Sequence, residues 1–124
     1  MHCRLINLIK LNLIYKKKFI RLKLNKYELK LIKILIKVNV IKFIKKNEDK
    51  YDIFLSYFDE KPIFQNLINV SKPSKPIFIS CKTLKYITNK YKIVIILSTN
   101  KGLLTNFEAI QNNIGGMVIL KLWN

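Results

Sequence analysis

Carboxylates are scarce in this chain: 7 Asp and Glu stand against 24 Lys and Arg, a formal charge of +17. No acid–base pair is supported by spacing, since Glu28 and Glu108 stand at helix caps and Asp49 and Glu60 in turns. Histidine is nearly absent. The single His2 sits at the terminus, so a serine or cysteine nucleophile has no obvious base. Cys3 and Cys81 are too few for a disulfide framework and lack metal-ligand spacing, so they read as reduced thiols. No phosphate-cradling glycine loop, dinucleotide fingerprint or zinc pattern is present. These grounds argue against an enzyme, and no cofactor or metal is expected. Nor does any uncharged run reach the ~20 residues needed to cross a bilayer. At the N-terminus Asn7, Lys10 and Asn12 interrupt the apolar residues, which makes a poor signal peptide.

Arginine, glycine and alanine are also rare, at two, three and one. Lysine, isoleucine and asparagine abound instead. Residues with A/T-rich codons are thus favoured, the mark of a shrunken organellar genome or of an A/T-rich nuclear or bacterial one. Lysine keeps the charge of arginine but loses its planar fork.

What is present is apolar and basic. Half of the 124 residues are apolar, enough for one or two small folded domains. At this charge self-repulsion weakens a small fold unless a polyanion relieves it. Phosphate backbone is the commonest such partner, and an anionic membrane surface is the rival. The first fifty residues hold 15 basic and 3 acidic side chains, the remainder 9 and 4. General phosphate attraction therefore belongs mainly to the first half.

Along the chain, residues 3–14 read as a helix with Arg4, Asn7 and Lys10 on one side. Residues 18–24 alternate as a half-buried strand does. Asn25 and Glu28 form a capping-box pair for the next helix. Its Lys26, Lys30, Lys33 and Lys37 make one basic stripe opposite Leu31, Ile34, Leu35 and Val38. That stripe is either an RNA contact or a solvated face. Strands near 40–46 and 51–58 follow, and the turn Asp59-Glu60-Lys61-Pro62 marks the boundary between domains at 1–61 and 62–124. Beyond a strand near 63–70, Pro73 and Pro76 predict a stiff, extended connection. A strand at 77–80, a helix at 82–89 and an apolar strand at 92–97 come next. Thr105 and Glu108 cap a short helix, and Asn113-Ile114-Gly115-Gly116 ends it, glycine suiting a left-handed exit. A last strand runs from Met117 to Trp123. The fold class is α/β (α+β): two small tandem α/β domains, the second with a mostly antiparallel sheet and short helices.

Ser98-Thr99-Asn100-Lys101-Gly102 concentrates hydroxyls, an amide, a cation and a glycine where a buried strand surfaces. The bland reading is an ordinary turn. The other is a surface that hydrogen-bonds to RNA, whose 2′-hydroxyls and irregular base edges suit short polar side chains. Gly102 lacks the Cβ that would hold a ligand off, and Lys101 offers a phosphate cation. For Gly115 and Gly116 the two readings are plain turn geometry and backbone N–H groups brought near RNA.

The order strand, S-T-x-K-G, two apolar residues, T-x-x-E-A, short helix, I-G-G and closing strand resembles the eighth small-subunit ribosomal protein family, bacterial type. Val70-Ser71-Lys72-Pro73 and Ile77-Phe78 resemble that family's V-S-[RK]-P turn and its aromatic-bearing strand. The match is clear over residues 70–124, while the first half fits in element order. The resemblance implies RNA binding by Ser98, Thr99, Asn100, Lys101, Gly102, Thr105, Gly115, Gly116, Lys72 and Phe78. It also implies contacts from Arg4, Asn7, Lys10 and Asn12 of the first helix. The implied partners are the central domain of small-subunit ribosomal RNA and neighbouring ribosomal proteins, including the fifth, with no membrane and no small-molecule substrate. Departures from the family pattern are Asn100 for serine, Phe78 for tyrosine, Met117 for glutamate, and Ser74 and Pro76 for a glycine and a basic residue.

The expected function is a structural, RNA-binding constituent of an organellar small ribosomal subunit, in a mitochondrion or alternatively a plastid, supporting subunit assembly and translation. Two alternatives stand beside it: a peripheral membrane protein using residues 1–46 as an amphipathic surface, and a non-ribosomal RNA-binding regulator.

Overall fold

Scarce glycine leaves its mark on how the helices stop. The computed structural model describes residues 2–58, 61–62, 64, 66–71 and 74–123, except for the side chains of residues 2 and 3. Its helices are α1 (His2–Ile14), α2 (Lys26–Lys37), α3 (Cys81–Lys90) and α4 (Asn106–Gln111). After α1, α2 and α4 the chain turns through a left-handed residue, and none of the three is glycine: Lys16, Asn39 and Asn113 have φ of 56°, 69° and 59°. At each exit the next N–H reaches back to a carbonyl of the last turn, as in Lys17 to Asn12, Val40 to Leu35 and Ile114 to Ala109. That pattern satisfies carbonyls a helix end would otherwise leave bare. Asparagine tolerates the conformation best after glycine. The expected glycine exit from α4 is therefore corrected: Asn113 takes it.

The chain divides into two compact units, residues 1–63 and 64–124. Unit 1 holds α1, β1 (Phe19–Leu22), α2, β2 (Ile41–Asn47) and β3 (Lys50–Leu55), with β1 and β2 flanking β3 antiparallel. The capping box forms as the sequence predicts: Asn25 Oδ1 accepts from the Glu28 N–H at 2.8 Å, and Glu28 Oε1 accepts from the Asn25 N–H. Glu28 is nonetheless buried, and its other oxygen lies 3.5 Å from the Arg4 guanidinium of α1. One carboxylate thus ends one helix and ties it to another. Leu5, Ile6 and Ile9 of α1, with Leu31, Ile32 and Leu35 of α2, are fully buried.

The strand expected over 51–58 breaks at Ser56, whose N–H bonds to Val40 O. Beyond it β4 (Tyr57–Phe58) pairs with β5 (Lys61–Pro62). Asp59 and Glu60 of the predicted turn lie outside the described residues.

Unit 2 is built on its last strand. β10 (Gly116–Trp123) takes β8 (Val94–Thr99) on one edge, and β8 in turn takes β9 (Gly102–Thr105). On the other edge lie β6 (Asn66–Asn69) and β7 (Phe78–Ile79), both antiparallel to β10. Val70 N–H bonds to Ile119 O and Val118 N–H to Ile77 O, so β6 and β7 follow the same edge of β10. Lys72 and Pro73 of the expected extended connection lie outside the described residues, and the residues at its two ends, Ser71 and Ile77, meet. The buried Ser71 hydroxyl accepts from the Ile77 N–H at 3.0 Å. Helices α3 and α4 cover one sheet face, where Leu84, Ile95, Leu97, Ala109 and Val118 form the core. Asn106 at the start of α4 is fully buried, yet its amide is used in full: Oδ1 accepts from Ile95 N–H, and Nδ2 donates to Thr88 Oγ1 and Ile93 O.

In unit 1 Arg21 and Asp52 face each other across β1 and β3 and pair at 2.7 Å. The hydrogen bond from Arg21, aided by its charge and that of Lys45, holds the Asp52 carboxyl below its ordinary pKa against the opposing pull of burial. A lowered folded-state pKa contributes stability above the unfolded value and loses it as pH falls through the folded one. Replacing Asp52 with Asn should therefore flatten the loss of stability below about pH 4, where free carboxylates titrate. Urea titrations of parent and variant across that acid range check this.

Candidate nucleic-acid interface

Strand β8 does not end in a loop. Its last two residues, Ser98 and Thr99, pair with Leu103 and Gly102 of β9, and Asn100 and Lys101 alone form the turn. The Thr99 hydroxyl builds that turn. It donates to Gly102 O at 2.8 Å and accepts from Lys101 N–H at 3.1 Å. Gly102 has φ of +99°, which L side chains rarely adopt, and a Cβ there would meet nothing within 4 Å. Backbone conformation therefore requires this glycine, and the space beside it is open.

Ser98 has the same chemistry and a different fate. Half-buried, its hydroxyl makes no hydrogen bond among the described residues. Asn100 and Lys101 at the turn are exposed. The hairpin thus holds an uncommitted hydroxyl at Ser98 and an amide and a cation at Asn100 and Lys101, with the Thr99 hydroxyl clipping the turn between them.

Gly115 and Gly116 join this hairpin to β7. A Cβ on Gly116 would lie 2.5 Å from Ser98 O, and one on Gly115 would collide with Ile79 O. Both glycines are required by the close approach of neighbouring backbone. In the register so fixed, Met117 stands between Phe78 and Ser98, and Ser98 stands beside Leu103. Residues directly opposite in antiparallel strands share a face. Phe78, Met117, Ser98 and Leu103 therefore form one row across four strands, and Phe78 is 71% exposed.

Other candidates go elsewhere. Thr105 is 5% exposed and accepts from Glu108 N–H as the cap of α4, so its hydroxyl is structural. Lys72 lies outside the described residues. On α1, Arg4 pairs with Glu28, Asn12 donates to Leu8 O at 2.7 Å, and Asn7 and Lys10 are exposed. The four lysines of the α2 stripe are all exposed. Met117 was legible only as a departure from a family pattern, because its place beside Ser98 follows from strand register. Among the described residues no group of three or more His, Cys, Asp or Glu could hold a metal, and no helix is long and apolar enough to cross a membrane.

Fold and site together define a basic α/β protein with an exposed polar hairpin turn. The chain belongs to the ribosomal protein S8 family, which it matches over residues 5–123. That family is structural and non-enzymatic. The chain is 36% identical over 93 residues to small ribosomal subunit protein uS8m of Acanthamoeba castellanii, covering 73% of each. Against uS8c of Bigelowiella natans it is 35% identical over 69% of this chain and 66% of that one. Against uS8 of Mesorhizobium japonicum it is 33% identical over 61% of this chain and 57% of that one.

Two glycine substitutions separate the two roles found for glycine here. Gly116→Ala forces backbone apart and should cost unit 2 about 1–3 kcal/mol, as overpacking does. Gly102→Ala strains φ alone and should cost about 1–2 kcal/mol. Urea unfolding of each variant, followed by circular dichroism, gives both values.

Proposed function

We propose that this chain is a structural constituent of an organellar small ribosomal subunit that binds the central domain of its ribosomal RNA and supports subunit assembly and translation. The observation that carries this reading is the free Ser98 hydroxyl at the end of β8, next to a turn that Gly102 leaves open, in a chain that belongs to the S8 family. RNA offers 2′-hydroxyls and base edges in its shallow groove, which short side chains reach only where the backbone can come close. Gly102 permits that approach, Ser98 and Asn100 supply hydrogen bonds, and Lys101 meets a phosphate. Phe78, exposed at the end of the same row, offers a ring face to a base. Lys72 and the α1 residues Asn7, Lys10 and Asn12 add further contacts in this reading, as does Arg4 if it leaves Glu28.

The codon-driven bias toward lysine, isoleucine and asparagine supports an organellar origin, and we place the protein in the mitochondrion, with the plastid as the alternative. Relatives of both kinds occur, uS8m and uS8c. The fifth small-subunit protein is the proposed protein neighbour. Sedimentation of the native protein with the small-subunit fraction tests the assignment, and recovery with membranes or free in solution contradicts it.

Recognition is tested by filter binding to the cognate stem and to a scrambled duplex at two salt concentrations. Ser98→Ala should reduce the preference for the cognate stem by about 1–3 kcal/mol, the cost of a partner left unsatisfied. The salt slope should stay unchanged. Lys101→Gln should weaken both RNAs and lower the slope by about one contact. Changing Lys26, Lys30 and Lys33 to glutamine should affect both RNAs equally or neither. If those lysine changes erase the preference while Ser98→Ala leaves it intact, the site is misassigned.

A further inference from the structure

Unit 1 carries a surface that the hairpin site does not use. Phe19 of β1 stands opposite Phe54 of β3, and Phe54 opposite Phe43 of β2. The rings stack, with centroids 5.3 and 4.4 Å apart and planes inclined by 29° and 18°. Cross-strand partners share a face, so these three rings form one row across the whole sheet. The end rings sit on the two edge strands, and they are the uncovered ones: Phe19 is 42% exposed and Phe43 44%.

Charge surrounds this row. Lys18 and Lys42 are chain neighbours of the two end rings, and both line a cavity of ≈ 550 Å³ with Phe43, Phe54, Ser56 and Tyr57. That volume falls within the roughly 300–1,000 Å³ of pockets that hold small molecules. The next row on the same face is Arg21, Asp52 and Lys45. Its one carboxylate, Asp52, is already held by Arg21, so the face offers cations outward. Cross-strand aromatic pairing accounts for rings that hold a sheet together. It does not account for end rings left open between lysines.

We propose that the Phe19–Phe54–Phe43 row is a stacking platform for unpaired RNA bases. A base continues the stack on Phe43 or Phe19, and Lys18 and Lys42 hold the adjoining phosphates. Every base has a ring face, so such a platform tolerates sequence and prefers single strands. An apolar protein neighbour would gain from the rings but would have to bury or pair the lysines, which is why RNA is the favoured occupant. This surface lies on the other unit and takes a different form of RNA from the stem proposed above. The two readings can therefore fail separately.

The test is a fluorescence-anisotropy titration of the full chain with a short labelled oligoadenylate, run beside the cognate stem. Phe19→Leu with Phe43→Leu keeps apolar bulk and removes the ring faces. It should weaken oligoadenylate binding about 10-fold or more and leave stem affinity unchanged. Phe43→Trp should retain binding, and its added emission should be quenched by the oligonucleotide. This second variant decides the matter if the leucine pair folds poorly. Three results would overturn the proposal. One is a leucine variant, folded as the parent is, that binds oligoadenylate equally well. Another is tryptophan emission unmoved at saturation. The third is a parent chain that ignores oligoadenylate while Lys42 crosslinks to protein in native particles.

Discussion

The close approach of backbone at Gly115 and Gly116 is the constraint on which unit 2 depends. Gly116 has room for hydrogen alone against Ser98 O, and Gly115 is as tightly held against Ile79 O. Between them they set β10 into register with β7 and β8, the strands that carry Phe78 and Ser98. Strands lie about 4.8 Å apart, so the two side chains are held roughly 10 Å from each other with Met117 between. A larger residue at either glycine would move an aromatic ring or a hydroxyl, and the row would lose its geometry before it lost its chemistry. The register shift between Val118 and Leu120 then lets the rest of β10 return to its neighbours, so the tight end and the regular end coexist in one strand.

Two adjacent hydroxyls show how position decides a role. Thr99 has both hydrogen-bonding functions engaged within the turn, donating to Gly102 and accepting from Lys101. Ser98, one residue earlier, points to the other sheet face and keeps its hydroxyl unspent. The Thr99 hydroxyl is therefore spent on holding the turn, and the Ser98 hydroxyl is not. For the proposed RNA site such preorganisation matters more in a chain with two arginines, because lysine supplies charge without the planar geometry that would orient an RNA phosphate. Orientation must come from the backbone.

Features legible in the sequence are those whose physics is local. Asn25 with Glu28 is a capping box because three residues of spacing alone decide it, and Thr105 caps α4 for the same reason. Gly102, a turn residue in the bland reading, has the positive φ that suits one. Non-local features were hidden. Strand β9 is four residues between a turn and a cap, too short for alternation to show, and it exists because β8 offers it partners. Prolines 73 and 76 suggested an extended link, but Ser71 and Ile77 draw its ends together along β10. Gly115 and Gly116 read as turn geometry or as backbone brought near RNA, whereas neighbouring strands set their size. Phe19, Phe43 and Phe54 are scattered over thirty-odd positions and become a row only through sheet register.

The central claim, that the β8–β9 hairpin reads RNA, is tested most directly by crosslinking native particles and locating the attached nucleotides by mass spectrometry. Peptides containing Lys101 should carry nucleotides of small-subunit ribosomal RNA, and those nucleotides should cluster in one stem of its central domain. If crosslinks fall only on Lys26, Lys30, Lys33 and Lys37 of α2, with the hairpin free of RNA, the account is contradicted.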